Sequence, residues 1–454
     1  MPEDFLSQNL NIFDRHHIWH PFTQMKDFEH RDMPVITRGE GLKLYDNRGN
    51  EFYDCISSWW CILHGHNHPK IKNAIKEQLD SLEQVIFAGF THEKAIQLAH
   101  ELLYNLPSHL SKFFFSDNGS TACEVALKMS YQQRLNNGEK KTKFIAFDRG
   151  YHGDTLGAMS VSGLSQFSRK FEGLFFDCHR IASPYCYRCE FGCKSGADCN
   201  LECLKPLEKL LREKSSEITA IILEPLVFGA GGMIFYPVRH LENLIKLVKA
   251  HDIHIIFDEI ATGFGRLGRM FAMDFLDENL RKPDFLCISK GLTGGFLPLA
   301  LTITTNDIFN SFFDDYEKNK TFFHGHTFTA NPLGCAAALA STKIFKEENT
   351  LENIRGKISF LQKEKEKFSE LPIVGDVRGM GMICAFELVK DKKTKEPFDS
   401  RLRTGWKIYN EGLKKGLIIR PLGDVIYLFL PLSTQKTEIS YILDTLFEIL
   451  KDFR

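Results

Sequence analysis

Between about Ile71 and Thr305 the chain alternates amphipathic helical segments with short apolar runs, and that alternation limits the fold more than any other feature. Leu241, Leu244, Ile245 and Val248 recur at i, i+3, i+4 and i+7, giving one apolar helix face. His254-Ile255-Ile256-Phe257 follows directly, a short apolar run suited to a buried parallel strand. Thr219 to Leu223 and Phe285 to Ile288 read the same way. Elements in this order predict an α/β layered domain with a mostly parallel sheet.

The flanks differ. Gly41 to Tyr45 alternates, Asp46-Asn47-Arg48-Gly49-Asn50 is turn chemistry, and Glu51 to Asp54 resumes extended structure. From about Asn331 an Ala-rich helix (Cys335 to Ala340) opens a Lys- and Glu-rich stretch that ends in strands around Val377 to Leu388 and Ile426 to Leu430. The expected organisation is an N-terminal segment, 1–70, packing with a smaller α+β domain, 331–454, beside a large domain, 71–330.

Hydrophobic residues at 43% and charged residues at 25% exclude wholesale disorder and collagen-like or coiled-coil character. The 57 Lys+Arg against 58 Asp+Glu leave a formal charge of −1 and no basic arm. Nucleic acid and anionic membrane surfaces are therefore not expected partners, and small molecules are. Met1-Pro2-Glu3-Asp4 is acidic, with no basic-then-apolar leader behind it. The longest uncharged stretch, Thr321 to Thr342, contains His324, His326, Asn331 and Pro332, which suit a membrane span badly. Seven of the twelve cysteines (Cys55, Cys61, Cys123, Cys178, Cys287, Cys335, Cys384) stand singly and read as reduced core residues of a cytoplasmic protein.

Three motifs carry the chemistry. Phe113 to Phe115 leads into Ser116-Asp117-Asn118-Gly119-Ser120-Thr121, after which Ala122 to Met129 reads as a helix. Small residues at a helix N-terminus offer amides, hydroxyls and the positive end of the dipole to a phosphate. An ordinary N-cap has the same pattern, and the terminal Lys-Ser/Thr of a nucleoside-triphosphate loop is missing. Asp258-Glu259 closes a buried strand, at the edge where ligands of open α/β sheets bind. Beyond it Gly263, Gly265 and Gly268 match G-x-G-x-x-G, but Glu259 to Thr262 separate them from the strand, against the dinucleotide pattern. Lys290 follows another apolar run and precedes a glycine-rich loop. Its amine either projects into the same crevice, able to form a Schiff base with an aldehyde, or stands solvated at a strand end. Together these residues offer an amine for an aldehyde, a carboxylate for a pyridine nitrogen and a cradle for an anion, which are the needs of pyridoxal phosphate.

With Tyr151-His152-Gly153 and Ser289-Lys290-Gly291, those residues resemble the class III aminotransferases of the fold type I pyridoxal-phosphate superfamily. The likeness runs from His17-Ile18-Trp19-His20-Pro21 to Ile419-Arg420-Pro421. Ile18 to Pro21, Ser57-Ser58-Trp59-Trp60, Tyr151 to Thr155 with Gly157 to Ser160, and Ile260 to Arg266 are similar to the branch of that family that serves biotin synthesis. The resemblance implies a fold type I α/β transferase with a smaller α+β domain, pyridoxal 5'-phosphate as cofactor, and a homodimer with active sites at the subunit interface. It implies transfer of an amino group from S-adenosylmethionine to 8-amino-7-oxononanoate, giving 7,8-diaminononanoate. The alternative is another class III activity with lysine or an ω-amino acid as donor.

Residue roles follow from the same resemblance. Lys290 would hold the cofactor as a Schiff base and shuttle the proton, and Asp258 would pair with the ring nitrogen. Ile260 and Tyr151 would cover the two ring faces. Gly119 and Ser120 would bind phosphate with the partner subunit's His326 and the partner subunit's Thr327. Phe22, Trp59, Trp60, Tyr151, Gly325, Arg420 and Tyr427 would line the substrate pocket, Arg420 suiting a substrate carboxylate. The plainer readings are core aromatics for Trp59 and Trp60 and a surface ion pair for Arg420. Phe22 stands where some members have tyrosine, and His326 where others have proline.

The other five cysteines, Cys186, Cys189, Cys193, Cys199 and Cys203, belong to an insertion-like segment. C-x-x-C followed by three more thiols is spacing open to a small zinc site. Reduced loop cysteines or redox sensitivity are the expectation, and no metal ligand is assigned.

Overall fold

The computed structural model describes residues 10–29, 31, 33–193 and 199–453, so the acidic start Met1 to Asp4 lies outside the described residues. The helix–strand alternation resolves into a seven-stranded sheet. Its order is Leu110–Ser116, Ala300–Thr305, Phe285–Ile288, His254–Asp258, Ile218–Leu223, Lys143–Phe147, His179–Ile181. Six strands share one direction, and Ala300–Thr305 runs against both its neighbours. Ile218–Leu223, His254–Asp258 and Phe285–Ile288 are buried at every position, which is why their sequences are mostly apolar rather than alternating. Helix Val238–Lys249 turns Leu241, Leu244, Ile245 and Val248 inward before the chain returns as His254–Asp258.

Parallel strands leave their carboxyl ends on one edge, and here five of them open on a common crevice. The segments leaving Leu110–Ser116, Lys143–Phe147, Ile218–Leu223, His254–Asp258 and Phe285–Ile288 carry Gly119, Tyr151, Glu224, Asp258 and Lys290 to one cavity.

The N-terminal strands Ile36–Glu40, Lys43–Asp46 and Glu51–Asp54 form a sheet completed by Leu417–Ile418, which runs parallel to Glu51–Asp54. An antiparallel sheet of Val374–Met380, Ile383–Leu388 and Val425–Phe429 lies beyond. Helix Pro332–Glu347 packs on helices Pro69–Leu79 and Glu93–Leu103 and on the turn Lys290–Thr293. Its alanines leave apolar surface on most sides, so it is buried beneath the Lys290 turn. Among the described residues no helix is long and apolar enough to cross a membrane.

Candidate active site

The crevice holds a cavity of about 420 Å³ whose walls include Gly119, Ser120, Tyr151, Asp258, Ile260 and Lys290. Asn118 caps helix Gly119–Asn136 by accepting from the Thr121 amide, which leaves the first two helical amides, Gly119 and Ser120, without an acceptor in the helix. They point an anion site at the cavity. Two glycines are needed for this shape. A Cβ on Gly119 would meet Ile260 Cδ1 at 2.8 Å. Gly153, at φ +122°, lies against Ser120, whose Oγ accepts from the Asp154 amide at 3.1 Å.

Asp258 is buried, with His152 Nδ1 2.7 Å from its Oδ2 and the Ile260 amide donating to its Oδ1 at 3.1 Å. The far nitrogen of His152, Nε2, is buried without a partner. Glu224 accepts from the Tyr151 amide at 2.9 Å and the Gly229 amide at 3.0 Å. Burial raises its pKa to about 7, Asp258 adding to the rise and His152 opposing it. Lys290 follows Ile288 through Ser289 and takes φ +41°, a left-handed conformation that costs a lysine strain. Its ammonium stands 5.0 Å from the Trp60 ring centroid. Burial pulls the Lys290 pKa below that of a free lysine, with Asp258 and Glu224 resisting. The Tyr151 hydroxyl donates to Asp154 Oδ2 at 3.0 Å, and burial holds the phenol neutral well above its ordinary range.

Glu259, the second carboxylate of the pair, faces away from this chemistry. It accepts from the amides of Ala272 and Met273 at 2.6 and 2.8 Å and ties down the loop there. The G-x-G-x-x-G glycines line no ligand cleft. Gly265, at φ +78°, sits against Leu432 and Phe345. Arg266, 1% exposed, donates to the carbonyls of Leu430 and Ile62, joining this loop to segments from both ends of the sequence. This is a structural corner, so the dinucleotide pattern is coincidental.

The opposite wall is aromatic. Ser57, Ser58, Trp59 and Trp60 all have positive φ, a left-handed turn costing about 1–2 kcal/mol per residue. Buried Asp54 holds it, accepting from the Ser58 amide at 3.0 Å and the Ser58 hydroxyl at 2.7 Å and pairing with His66 at 2.9 Å. Ser57 Oγ donates to the Phe429 carbonyl at 2.6 Å. Trp60 enters the cavity wall, stacks on Phe429, and donates through Nε1 to the Tyr427 hydroxyl at 3.1 Å. Tyr427 is fully buried and reaches the cavity only through Trp60.

Trp59, 39% exposed, meets Phe22 edge-on at 5.6 Å, and Phe22 meets Phe167 at 5.5 Å. Phe167 lines a second hollow of about 450 Å³ that shares Tyr151 and Gly153 with the first. The Arg420 guanidinium lies 5.0 Å from the Trp59 ring and donates to the Phe22 carbonyl at 3.1 Å. Among the described residues no carboxylate pairs with Arg420, which corrects the surface ion-pair reading.

Gly325, His326 and Thr327 are not brought to this cavity within one chain. Their segment runs beside helix Gly119–Asn136, where His324 contacts Lys128, and the Thr327 carbonyl accepts from Gln84. Sequence reasoning assigned no role to Glu224, His152 or Asp54. Glu224 follows the apolar run Thr219 to Leu223 as Asp258 follows His254 to Phe257, and that parallel was available.

The donor set fits pyridoxal phosphate: two open helix amides, a buried carboxylate held on one oxygen by an imidazole, and a buried amine share one cavity. A family model described as Aminotransferase class-III matches residues 26–450. The adenosylmethionine-8-amino-7-oxononanoate aminotransferase of Methanocaldococcus jannaschii is 44% identical, covering 98% of each chain. Its crystal structure superposes with a TM-score of 0.93 over 98% of this chain and 99% of that one. The enzyme of the same name from Geobacter sulfurreducens is 45% identical, covering 98% of this chain and 97% of its own. An amine transaminase from an uncultivated Pseudomonas species, solved in its PLP-bound form, is 31% identical with a TM-score of 0.90, covering 96% and 99%.

Proposed function

The chain belongs to the class III aminotransferases, and from that premise we propose that it transfers an amino group from S-adenosylmethionine to 8-amino-7-oxononanoate, the step that yields 7,8-diaminononanoate for biotin. The observation that carries the reading is the convergence of Lys290, Asp258 and the Gly119–Ser120 amides on one cavity walled by Trp60, with Trp59 next to it in the same turn. The relatives at 44–45% identity bear that activity in their names.

Gly119 and Ser120 would hold the phosphate of pyridoxal phosphate, Asp258 its ring nitrogen, Ile260 and Tyr151 its faces, and Lys290 its aldehyde carbon. When bound, that cofactor supplies a carbon that carries the amino group and a ring that takes up the electrons of a breaking C–H bond. Burial lowers the proton affinity of the Lys290 amine, which favours the neutral form that can take a proton at Nζ and return it to a neighbouring carbon. His152 and the Ile260 amide fix Asp258 so that its charge faces the cavity. Glu224 steadies the Tyr151 loop through its amide. The aromatic wall excludes water beside Lys290 and offers flat surfaces to both substrates, while the unpaired donors of Arg420 take the carboxylate of the keto acid.

A homodimer belongs to this reading: Ile86, Phe90, Phe323 and Phe328 are exposed on segments joined by the Gln84–Thr327 bond, an apolar face next to His326 and Thr327. A cytoplasmic setting accords with twelve cysteines all in the free state. A donor panel with 8-amino-7-oxononanoate as acceptor tests the activity. Product is expected with S-adenosylmethionine, and turnover with lysine alone would replace the donor assignment. Borohydride should trap the cofactor on Lys290, and a protein that stays colourless with pyridoxal phosphate overturns the class of chemistry.

A further inference from the structure

The five cysteines of residues 186–203 take no part in that reaction, yet they share one narrow cavity of about 30 Å³. That is room for about one water molecule or one ion, and too little for an organic ligand. None of the five is in a disulfide. The cavity's inner wall carries His240, from helix Val238–Lys249. This ring is 1% exposed, and both of its nitrogens are buried without a hydrogen-bond partner. A buried polar group left unpaired is destabilising, so its place beside five thiols calls for a ligand. The Leu201 amide already donates to Cys199 Sγ at 3.2 Å.

We propose that Cys186, Cys189, Cys199 and Cys203 bind one structural zinc ion, with His240 supporting the sulfur shell from the large domain. The C-x-x-C and C-x-x-x-C pairs each have the bite that a tetrahedral ion uses, and four-coordination leaves Cys193 outside. Among the described residues no three of these ligand atoms lie within 4.8 Å of one another. A shell with sulfur about 2.3 Å from zinc sets its sulfurs about 3.8 Å apart, so binding draws the two pairs together across the cavity.

The ion would tighten a clamp. Ser183 Oγ donates to Asp148 Oδ1 at 2.6 Å and accepts from the Arg149 amide at 3.1 Å, two residues before Tyr151. On the other side Tyr185 and Arg188 bind Glu387 of the C-terminal antiparallel sheet, and Arg188 also reaches the Lys395 carbonyl at 2.8 Å. The segment thus spans the Tyr151 loop and the C-terminal lobe.

The test is metal analysis of the holoenzyme, purified without a metal-affinity tag from zinc-supplemented culture and dialysed. About one zinc per chain is expected. The pairs C186S/C189S and C199S/C203S should each lower that content about tenfold or more, C193S should leave it unchanged, and H240A should weaken retention about tenfold. Because the double variants can fail to fold, wild-type enzyme is also stripped with chelator and titrated with cobalt(II). Thiolate charge-transfer absorption and the intense visible bands of tetrahedral cobalt are expected, with proteolysis within 182–204 faster in the stripped form. Wild-type enzyme that is yellow and active but carries no zinc and develops no such bands overturns the site, leaving the transaminase reading untouched. Iron in place of zinc, or disulfides seen by intact mass, also overturns it.

Discussion

On one side of the cavity Asp258, Glu224 and Lys290 stand at or just past the ends of neighbouring strands, and their partners come from adjacent strands and loops. On the other side stands Trp60, and outside the cavity next to it Trp59, Phe22 and Arg420 meet across 398 residues of sequence, on backbone that takes four left-handed residues in a row. The first side is what a parallel sheet provides by its geometry. The second is assembled, and it is strained. Buried Asp54 and the Phe429 carbonyl offset the strain by capturing both serines of the turn. Chemistry common to a whole family can rest on the regular side, because strand ends do not depend on which substrate enters. Substrate choice falls to the assembled side, where side chains from separate elements can change without disturbing the sheet.

The largest expected effect breaks the regular side. Lys290→Ala should reduce kcat by about 10⁴-fold or more, the upper range for removing a positioned proton carrier. The protein should still fold and bind pyridoxal phosphate through Gly119, Ser120 and Asp258, and added small amines should restore part of the rate. Loss of cofactor binding together with rate would move Lys290 from chemistry to anchoring alone.

Glu224 sharpens the same side through pH. Its carboxyl has an ordinary pKa of 4.5 and about 7 in the fold. Between those values the folded protein holds more protons than the unfolded one, so stability falls as pH rises. The contribution is fully present below about 4.5 and gone above about 7, a change of about 3 kcal/mol. Melting curves of cofactor-free wild type and Glu224→Gln across pH 5–8 read this directly. The variant should lose Glu224's share of the slope and keep the share of Glu259, which burial raises to about 8, whatever constant offset the new amide adds by facing the Gly229 or Tyr151 amide. Equal slopes would place the proton elsewhere.

The same contrast governs what the amino-acid sequence made legible. Asp258 and Lys290 follow apolar runs, so a rule about strand ends locates them without any contact being known. Glu224 obeys that rule as well, and only the absence of a motif around it hid it. The seven-stranded order and the lone reversed strand Ala300–Thr305 do not follow from periodicity, which reports burial and not direction. Nor does a local pattern foretell that Ser57 to Trp60 turn left-handed, since serine and tryptophan have no bias toward positive φ and the stabilising groups lie at Asp54 and Phe429. Arg266 shows the opposite error: a glycine-rich run that resembles a ligand loop is a buried joint. Resemblance alone assigns Gly325 to Thr327 to the site, and within one chain they stand outside the cavity.

Arg420 probes the assembled side. Its guanidinium rests on Trp59 and spends one donor on the Phe22 carbonyl, leaving the others for an anion. Arg420→Ala should raise KM for 8-amino-7-oxononanoate about 30-fold, the worth of a charged hydrogen bond near 2 kcal/mol, with kcat changed little. Arg420→Lys should recover part of that loss, because a point charge replaces a two-pronged donor. A fall in kcat with KM constant would instead tie Arg420 to the chemistry, and the division between the two sides of the cavity would fail.

Phe22→Tyr carries the smallest expected effect and is the finest test of that division. Phe22 is 41% exposed, at φ +50°, with its ring edge-on to Trp59 and Phe167 at 5.6 and 5.5 Å. A hydroxyl added to a ring this open can stay hydrated, so it brings no burial penalty, and stability should shift by less than about 0.5 kcal/mol. One new neutral hydrogen bond is worth about 0.5–1.5 kcal/mol, so KM for whichever substrate carries a polar group past Trp59 should fall about two- to tenfold. The other substrate's KM and kcat should stay as they are, because Phe22 touches neither Lys290 nor Asp258. Measuring both KM values in the variant therefore identifies which substrate lies along the Trp59–Phe167 shelf. Equal changes in both would mean that the two substrates share it, and that the shelf cannot by itself be the element that tells them apart.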